Sequence, residues 1–210
     1  MTTMLKLFKY ILTFGFIALF LSGCSTLNKD ECKTADWKTI GYADGARGYK
    51  ASRIDKHRSA CSKYYIRPNL DNYTIGRNEG LQQYCIPAMA YKKGISGYNY
   101  NGVCRGYNEK IFLNAFNHGL TVYHAKSKLK SLESEYAEEE LHINKLEKKL
   151  YRKEDKLVSG KLPKDRAIKL LNRTKEITKE LDEAKSHLLY IGDKINHQTQ
   201  HINDLENKLP

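Results

Sequence analysis

A nine-residue pattern of a small residue, a glycine and a tyrosine, spaced by four and four, recurs between residues 41 and 123 of this 210-residue chain. Clear copies begin at Gly41, Gly76 and Ala115, and a fainter copy begins at Ala90. Residues four apart lie on one face of a helix, and each helical Gly costs about 1 kcal/mol relative to Ala. We therefore expect a second backbone to approach closely over the small positions, with the Tyr ring beside it. The pattern predicts short, closely packed helices, although glycines in loops or bulges of a β fold also fit it.

An ionisable side chain stands directly before the central Gly of each clear copy, at Asp44, Glu79 and His118. Three such side chains could converge to hold a metal or to carry out acid–base chemistry. Helices stacked through their glycine faces would instead leave them on separate solvated flanks. We keep the three as a possible polar site and predict no catalytic residue, metal or cofactor. His197 and His201 are four apart, but no third ligand is evident, so we interpret them as solvated surface.

The first 24 residues have the features of an exported lipoprotein. Lys6 and Lys9 precede an apolar run over residues 11–21, which is shorter than the roughly 20 residues that span a bilayer. The tetrapeptide ending at Cys24 resembles the lipobox of bacterial lipoproteins, which implies removal of residues 1–23 and attachment of several acyl chains to Cys24. Ser25, by the same resemblance, favours the outer membrane, facing the periplasm. The alternative is an ordinary signal peptide that leaves Cys24 as a thiol.

The remaining cysteines are even in number, which suits an oxidising compartment. They are Cys32, Cys61, Cys85 and Cys104. Two disulfides are expected, and a zinc site is disfavoured because no pair has CxxC spacing. Four cysteines allow three connectivities, which the sequence leaves open; we prefer Cys32–Cys61 with Cys85–Cys104 because these loops are the shortest.

The composition changes near residue 124, which predicts two regions after the signal peptide. Residues 24–124 hold the four cysteines and most glycines and tyrosines, and carry 15 basic against 8 acidic residues. Residues 125–210 are rich in Lys, Glu, Leu and Ile, as in long helices. The positive compact region suits anionic partners such as lipid headgroups or cell-wall polymers, or simply a soluble Lys-rich surface; nucleic acid is not expected as a partner of an exported protein.

Beyond residue 127 the apolar residues alternate in steps of three and four, which is the pattern of a coiled coil. The first seam is Leu129, Leu132, Tyr136, Glu139, Ile143, Leu146, Leu150, Lys153 and Leu157. The second is Leu170, Thr174, Ile177, Leu181, Ala184, Leu188, Ile191, Ile195, Gln198, Ile202, Leu205 and Leu209. Gly160 and Pro163 separate them, as expected at the end of one helix and the start of the next. We predict an antiparallel helical hairpin whose second helix is the longer.

Residues 30–124 resemble a family of bacterial lipoproteins catalogued as domain of unknown function 2799. The resemblance rests on Trp37, Gly41, Asp44-Gly45, Gly48 and Cys61, then on the segment from Tyr73 to Cys85, and continues through Gly94, Gly97, Tyr98, Cys104, Phe112 and Gly119. The segment Gly76-Arg77-x-Glu79-Gly80-Leu81-x-x-Tyr84-Cys85 is its most specific part. The resemblance implies an envelope lipoprotein and supplies no activity, and the helical region beyond residue 124 lies outside it.

The fold class expected is therefore mainly α: a small disulfide-tied Gly/Tyr-repeat domain followed by a long antiparallel coiled-coil hairpin. An anchor, a rod and no reaction centre favour a structural or interaction scaffold that binds a protein partner, or a second copy, through the coiled coil. The alternative is a module that binds an anionic glycan or lipid through the Tyr-rich region. An enzyme is the last choice because no nucleophile, phosphate-loop or metal motif is present.

Overall fold

A computed structural model describes residues 27–208, which are mainly helical; the predicted signal segment, Cys24, Ser25 and Leu209 lie outside the described residues. Over that part of the chain there are seven helices and no strand, which confirms the mainly α prediction and removes the β alternative. The helices are α1 Lys29–Lys33, α2 Trp37–Ala46, α3 Arg53–Ser62, α4 Leu70–Tyr84, α5 Pro87–Ile95, α6 Glu109–Val158 and α7 Lys164–Glu206. Between residues 27 and 208, no helix is apolar over enough of its length to cross a bilayer.

The chain divides into two compact units, and the division differs from the boundary expected at residue 124. Among the described residues, one unit contains residues 27–86 and Tyr100–Glu109, and the other contains Pro87–Asn99 and residues 110–208. Residue 124 lies inside α6, because the last glycine copy and the first arm of the hairpin form one continuous 50-residue helix. The change of composition is therefore not a break in the structure.

In the first unit α2 and α4 pack with the glycines of each helix against the backbone of the other. A methyl group built on Gly45 would overlap the backbone at Arg77 and Leu81, and one on Gly80 would overlap the backbone at Tyr42 and Ala46. Gly41 and Gly76 meet the partner backbone in the same way. The close backbone approach expected from the repeat is confirmed, and it explains why side chains larger than hydrogen are absent there.

The second unit repeats this arrangement with α5 and the start of α6. A methyl group on Gly94 would overlap the backbone at Phe116, and one on Gly119 would overlap it at Tyr91 and Ile95. Ala90 and Ala115 occupy the places that Gly41 and Gly76 hold in the first unit. The four sequence copies thus form two equivalent helix pairs.

Each pair places its tyrosine ring against a turn glycine, and here the sequence prediction needs a correction. The ring of Tyr84 packs on Gly48, and the ring of Tyr123 packs on Gly97. Both glycines follow the end of a helix, with φ of +75° and +69°. The tyrosines of the other two copies, Tyr49 and Tyr98, come after these turns and do not lie on the helix, because the left-handed glycine ends it.

Two disulfides stabilise the first unit, with the pairing that the loop lengths favoured. Cys32 is bonded to Cys61, which ties α1 to α3. Cys85 is bonded to Cys104, which ties the end of α4 to the segment before α6. Cys32 and Cys61 belong to the core of this unit, packed with Trp37, Ile54 and Tyr73.

The two long helices form an antiparallel hairpin whose seam follows the predicted heptads. Every predicted seam position from Leu129 to Leu205 is buried or half-buried. Ile143, Leu146, Ile177, Leu181 and Ala184 form its central cluster. Ion pairs confirm the direction, since Lys126 pairs with Glu206 and Glu147 with Lys185, so partner numbers fall along α7 as they rise along α6.

The first helix of the hairpin is longer than expected because it continues back through the last glycine copy to Glu109. α6 has 50 residues and α7 has 43, but the arm of α6 beyond residue 124 is shorter than α7, as the sequence predicted. At 1.5 Å per residue α6 is about 75 Å long. The end of α7 packs beside the glycine-bearing part of α6, where His118 Nε2 lies 3.0 Å from the carbonyl oxygen of Leu205.

Candidate functional site

Three polar side chains from three helices meet in the interior of the first unit. Oδ2 of Asp44 on α2 lies 2.8 Å from Nε2 of His57 on α3 and accepts a 2.8 Å hydrogen bond from the Tyr73 hydroxyl on α4. Asp44 and His57 are 4% exposed and Tyr73 is 1% exposed. An ionised carboxylate only accepts hydrogen bonds, so His57 Nε2 carries the proton it shares. The network joins α3 to the glycine-packed pair.

The protonation states of the network follow from burial and from these hydrogen bonds. Burial alone would raise the pKa of Asp44, but the hydrogen bonds from His57 and Tyr73, helped by the charge of Arg53, outweigh it and hold the pKa below its usual range. Burial, followed by the nearby Asp44 carboxylate, raises the pKa of the Tyr73 hydroxyl. At neutral pH Asp44 is therefore charged and Tyr73 is a proton donor in a hydrogen bond.

Two arginines hold the segment that follows α2. Arg77 donates from Nε and Nη2 to the carbonyl oxygen of Tyr49, at 3.1 and 2.9 Å. The guanidinium carbon of Arg53 lies 4.7 Å from the centre of the Tyr49 ring, a cation–π contact. Because both donors bond one backbone oxygen, Arg77 holds the segment after α2 against α4.

The second helix pair shows that the crossing does not need this network. In that unit Lys93 stands where Asp44 does, and Phe112 stands where Tyr73 does, with Phe112 fully buried. Nζ of Lys93 lies 4.3 Å from the centre of the Tyr98 ring. The glycine contact therefore forms with an apolar ring in place of the hydrogen-bonded tyrosine, and the polar network is a feature of the first unit alone among the described residues.

Two members of the possible polar site, Asp44 and Glu79, share the first unit but have separate partners. Glu79 is half exposed and pairs with Lys38 at 2.8 Å, apart from the Asp44 network. His118 belongs to the second unit, where its ring stacks on Tyr91. No group of three His, Cys, Asp or Glu side chains able to hold a metal occurs in residues 27–208. Asp44 is the one member of the predicted trio that is buried.

The sequence analysis missed His57 and did not connect Tyr73 to Asp44. A signal was present, because Ile54, His57 and Cys61 follow the three-and-four spacing of a buried helix face, so His57 could have been placed inside. Nothing local to Asp44 pointed to either partner, since 13 and 29 residues separate them along the chain.

The first unit also carries an open groove at its surface, after α3. It has a volume of about 710 Å³, and its lining residues are Arg58, Ser62, Tyr65, Ile66, Arg67 and Pro68. Tyr65 is 98% exposed. Two guanidinium groups and a phenol around one groove can bind phosphate or carboxylate oxygens.

A smaller groove of about 260 Å³ lies along the hairpin. His197 lines it together with Lys128 and Lys194. Cationic neighbours disfavour a metal ion at His197, and the pair His197 and His201 is exposed, as the sequence analysis expected.

The fold and its contacts define a class of protein: a disulfide-tied helical protein built from two glycine-packed helix pairs and a hairpin. Residues 36–121 match the model of a family described as "Protein of unknown function (DUF2799)". The match confirms the resemblance found in the sequence; it covers the first three glycine copies and the fourth as far as residue 121, within α6. No curated protein and no solved structure matches the chain.

Proposed function

We propose that this chain is a lipid-anchored protein of the cell envelope that binds a protein partner through its helical hairpin. Cys24 supplies the anchor, at the outer membrane and facing the periplasm, on the strength of the lipobox and Ser25. The proposal assigns no reaction to the chain.

The observation that carries the proposal is a group of exposed apolar side chains around the hairpin turn. Its members, with their exposed fractions, are Tyr151 at 71%, Val158 at 86%, Ile168 at 49% and Leu171 at 46%. All lie within eight residues of the turn between α6 and α7, which places them within about 12 Å of it along the helices. They are not seam residues, so the hairpin itself does not need them. Exposed apolar groups concentrated at one place are typical of an interaction site.

The experiment introduces a photoreactive residue at position 158 or position 141 in living cells. Leu141 is 60% exposed and lies in the middle of α6, so it is a matched site away from the turn. We expect a crosslinked product specific to position 158 that disappears when Ile168 and Leu171 are changed to Gln. Replacing Leu141 and Leu189 with Gln is the control for loss of apolar surface. Equal crosslinking from both positions, or a product that survives I168Q/L171Q, would contradict the proposal.

The second candidate function is binding of an anionic lipid or glycan by the first unit. It is favoured by the groove that Arg58, Arg67 and Tyr65 line.

A further inference from the structure

We propose that the groove after α3 is a membrane-contact surface, in which Arg58 and Arg67 bind the phosphates of anionic lipid headgroups and Tyr65 inserts at the bilayer interface. This inference rests on the lipid anchor at Cys24. It is independent of any partner of the hairpin.

The first observation is the short chain between the anchor and this surface. Cys24 precedes Leu27 by three residues, which span at most about 11 Å when extended. Leu27 and Ile66 pack against the same core cluster. The Cys32–Cys61 disulfide holds the Cα atoms of its two residues 5.5 Å apart, and the groove residues follow Cys61 directly. A lipid on Cys24 therefore keeps the turn after α3 close to the headgroups.

The second observation is the backbone of Tyr65. This residue has φ of +61°, and the backbone N–H of Ile66 donates to the carbonyl oxygen of Cys61. A hydrogen bond from an N–H to the carbonyl oxygen five residues earlier also closes the ends of α2 and α5. At those two ends the residue with positive φ is a glycine, Gly48 or Gly97. A bulky residue is disfavoured there. Since Tyr65 is 98% exposed, no packing within the unit compensates for the strain. Strain of this kind is often kept for function, and tyrosine suits the interface between water and lipid.

The third observation is charge. Residues 50–67 contain six basic residues, Lys50, Arg53, Lys56, Arg58, Lys63 and Arg67, and one acidic residue, Asp55. Asp55 accepts from one nitrogen of Arg58 at 2.8 Å, while a guanidinium has five N–H donors in a planar fork. Each cation near an anionic membrane surface strengthens binding. The arginine–phosphate contacts and the inserted tyrosine ring, added to the lipid anchor, would hold the unit in one orientation on the bilayer.

The test uses the mature chain with Cys24→Ser, which retains every described residue and has no lipid. Its sedimentation with vesicles of phosphatidylcholine alone is compared with that on vesicles containing phosphatidylglycerol. We expect binding to the anionic vesicles only, weakened by salt. Replacing Arg58 and Arg67 with Gln should weaken it about 30-fold, whereas replacing the exposed Lys145 and Lys149 of α6 should change it less than about threefold.

Tyr65→Gly separates the membrane contact from folding. Glycine relieves the left-handed strain, so the urea midpoint should stay equal or rise while vesicle binding weakens at least about threefold. The proposal is overturned if R58Q/R67Q loses no more affinity than K145Q/K149Q, or if Y65G binds as well as the parent. It is also overturned if inorganic phosphate, at matched ionic strength, displaces the vesicles, which would make the groove a site for a soluble anion. Fatty-acid labelling of Cys24 in cells tests the anchor separately.

Discussion

Replacing Gly45 with Ala should destabilise the first unit, although Ala is the better helix former. The added methyl carbon would lie 2.9 Å from the carbonyl carbon of Arg77 and 2.9 Å from the amide nitrogen of Leu81, against a normal separation of at least 3.4 Å. Both atoms belong to the backbone of α4, so no side-chain rotation relieves the overlap and the helices must separate.

The expected magnitude combines two opposing effects. Overpacking of a core costs about 1–3 kcal/mol, and a backbone-on-backbone contact belongs at the upper end because neither side can relax alone. The gain in helix propensity from Gly to Ala offsets about 1 kcal/mol. The net loss in free energy of unfolding is about 2 kcal/mol, which lowers the urea midpoint by about 1–2 M for a small unit.

Fluorescence of the single tryptophan provides the assay, because Trp37 is buried in the core of the first unit. The matched control is Gly192→Ala in α7, where the methyl would meet only the Tyr136 ring at 3.7 Å. That variant should stabilise the hairpin by up to about 1 kcal/mol, followed by far-ultraviolet circular dichroism. If G45A unfolds at or above the urea midpoint of the parent, the contact at Gly45 does not set the distance between α2 and α4.

Replacing Cys32 and Cys61 together with Ser should cost about 3–4 kcal/mol in unfolding free energy, because the bond closes a loop with a sequence separation of 29; a urea midpoint within about 0.5 M of the parent would contradict this. The folded pKa of Asp44 lies below its unfolded value, so its contribution to stability is present above about pH 4 and is lost as pH falls below that value through the folded pKa. Asp44→Asn should therefore be less stable at neutral pH and lose less of its stability on acidification, measured by Trp37 fluorescence. If the variant and the parent lost the same stability between neutral and acidic pH, Asp44 would not be charged in the folded protein. Glu79→Gln should change stability by less than about 1 kcal/mol, since its pair with Lys38 is exposed; a larger loss in thermal unfolding would show a role that the structure does not assign.

Much of the fold was predictable because it depends on spacing alone. The steps of three and four defined the hairpin seam residue by residue, and the step of four defined the glycine faces. The continuity of α6 was also visible, because no glycine or proline occurs between Gly119 and Gly160. The boundary expected near residue 124 rests on a change in amino-acid composition, and such a change does not end a helix when no helix-breaking residue accompanies it.

The pairing of the glycine copies could not be predicted from the sequence. All four present a small face with the same spacing, so each face is sterically compatible with any other, and the choice depends on chain connections and on the disulfides. The buried site was equally hidden, because Asp44, Glu79 and His118 hold the same place in the repeat while only Asp44 finds partners inside. One partner, His57, comes from α3, which is not part of the repeat, and the other, Tyr73, stands on α4 three residues before its copy begins.

The unbroken course of α6 has a mechanical consequence. About 58 Å of rigid helix separates Gly119 from Val158, with no linker between them to absorb strain. A force on the turn is therefore transmitted along α6 to the place where Gly119 contacts the backbone of α5. There α5 and α6 are in direct backbone contact, so no side chain between Gly94 and Gly119 can rotate to absorb the force.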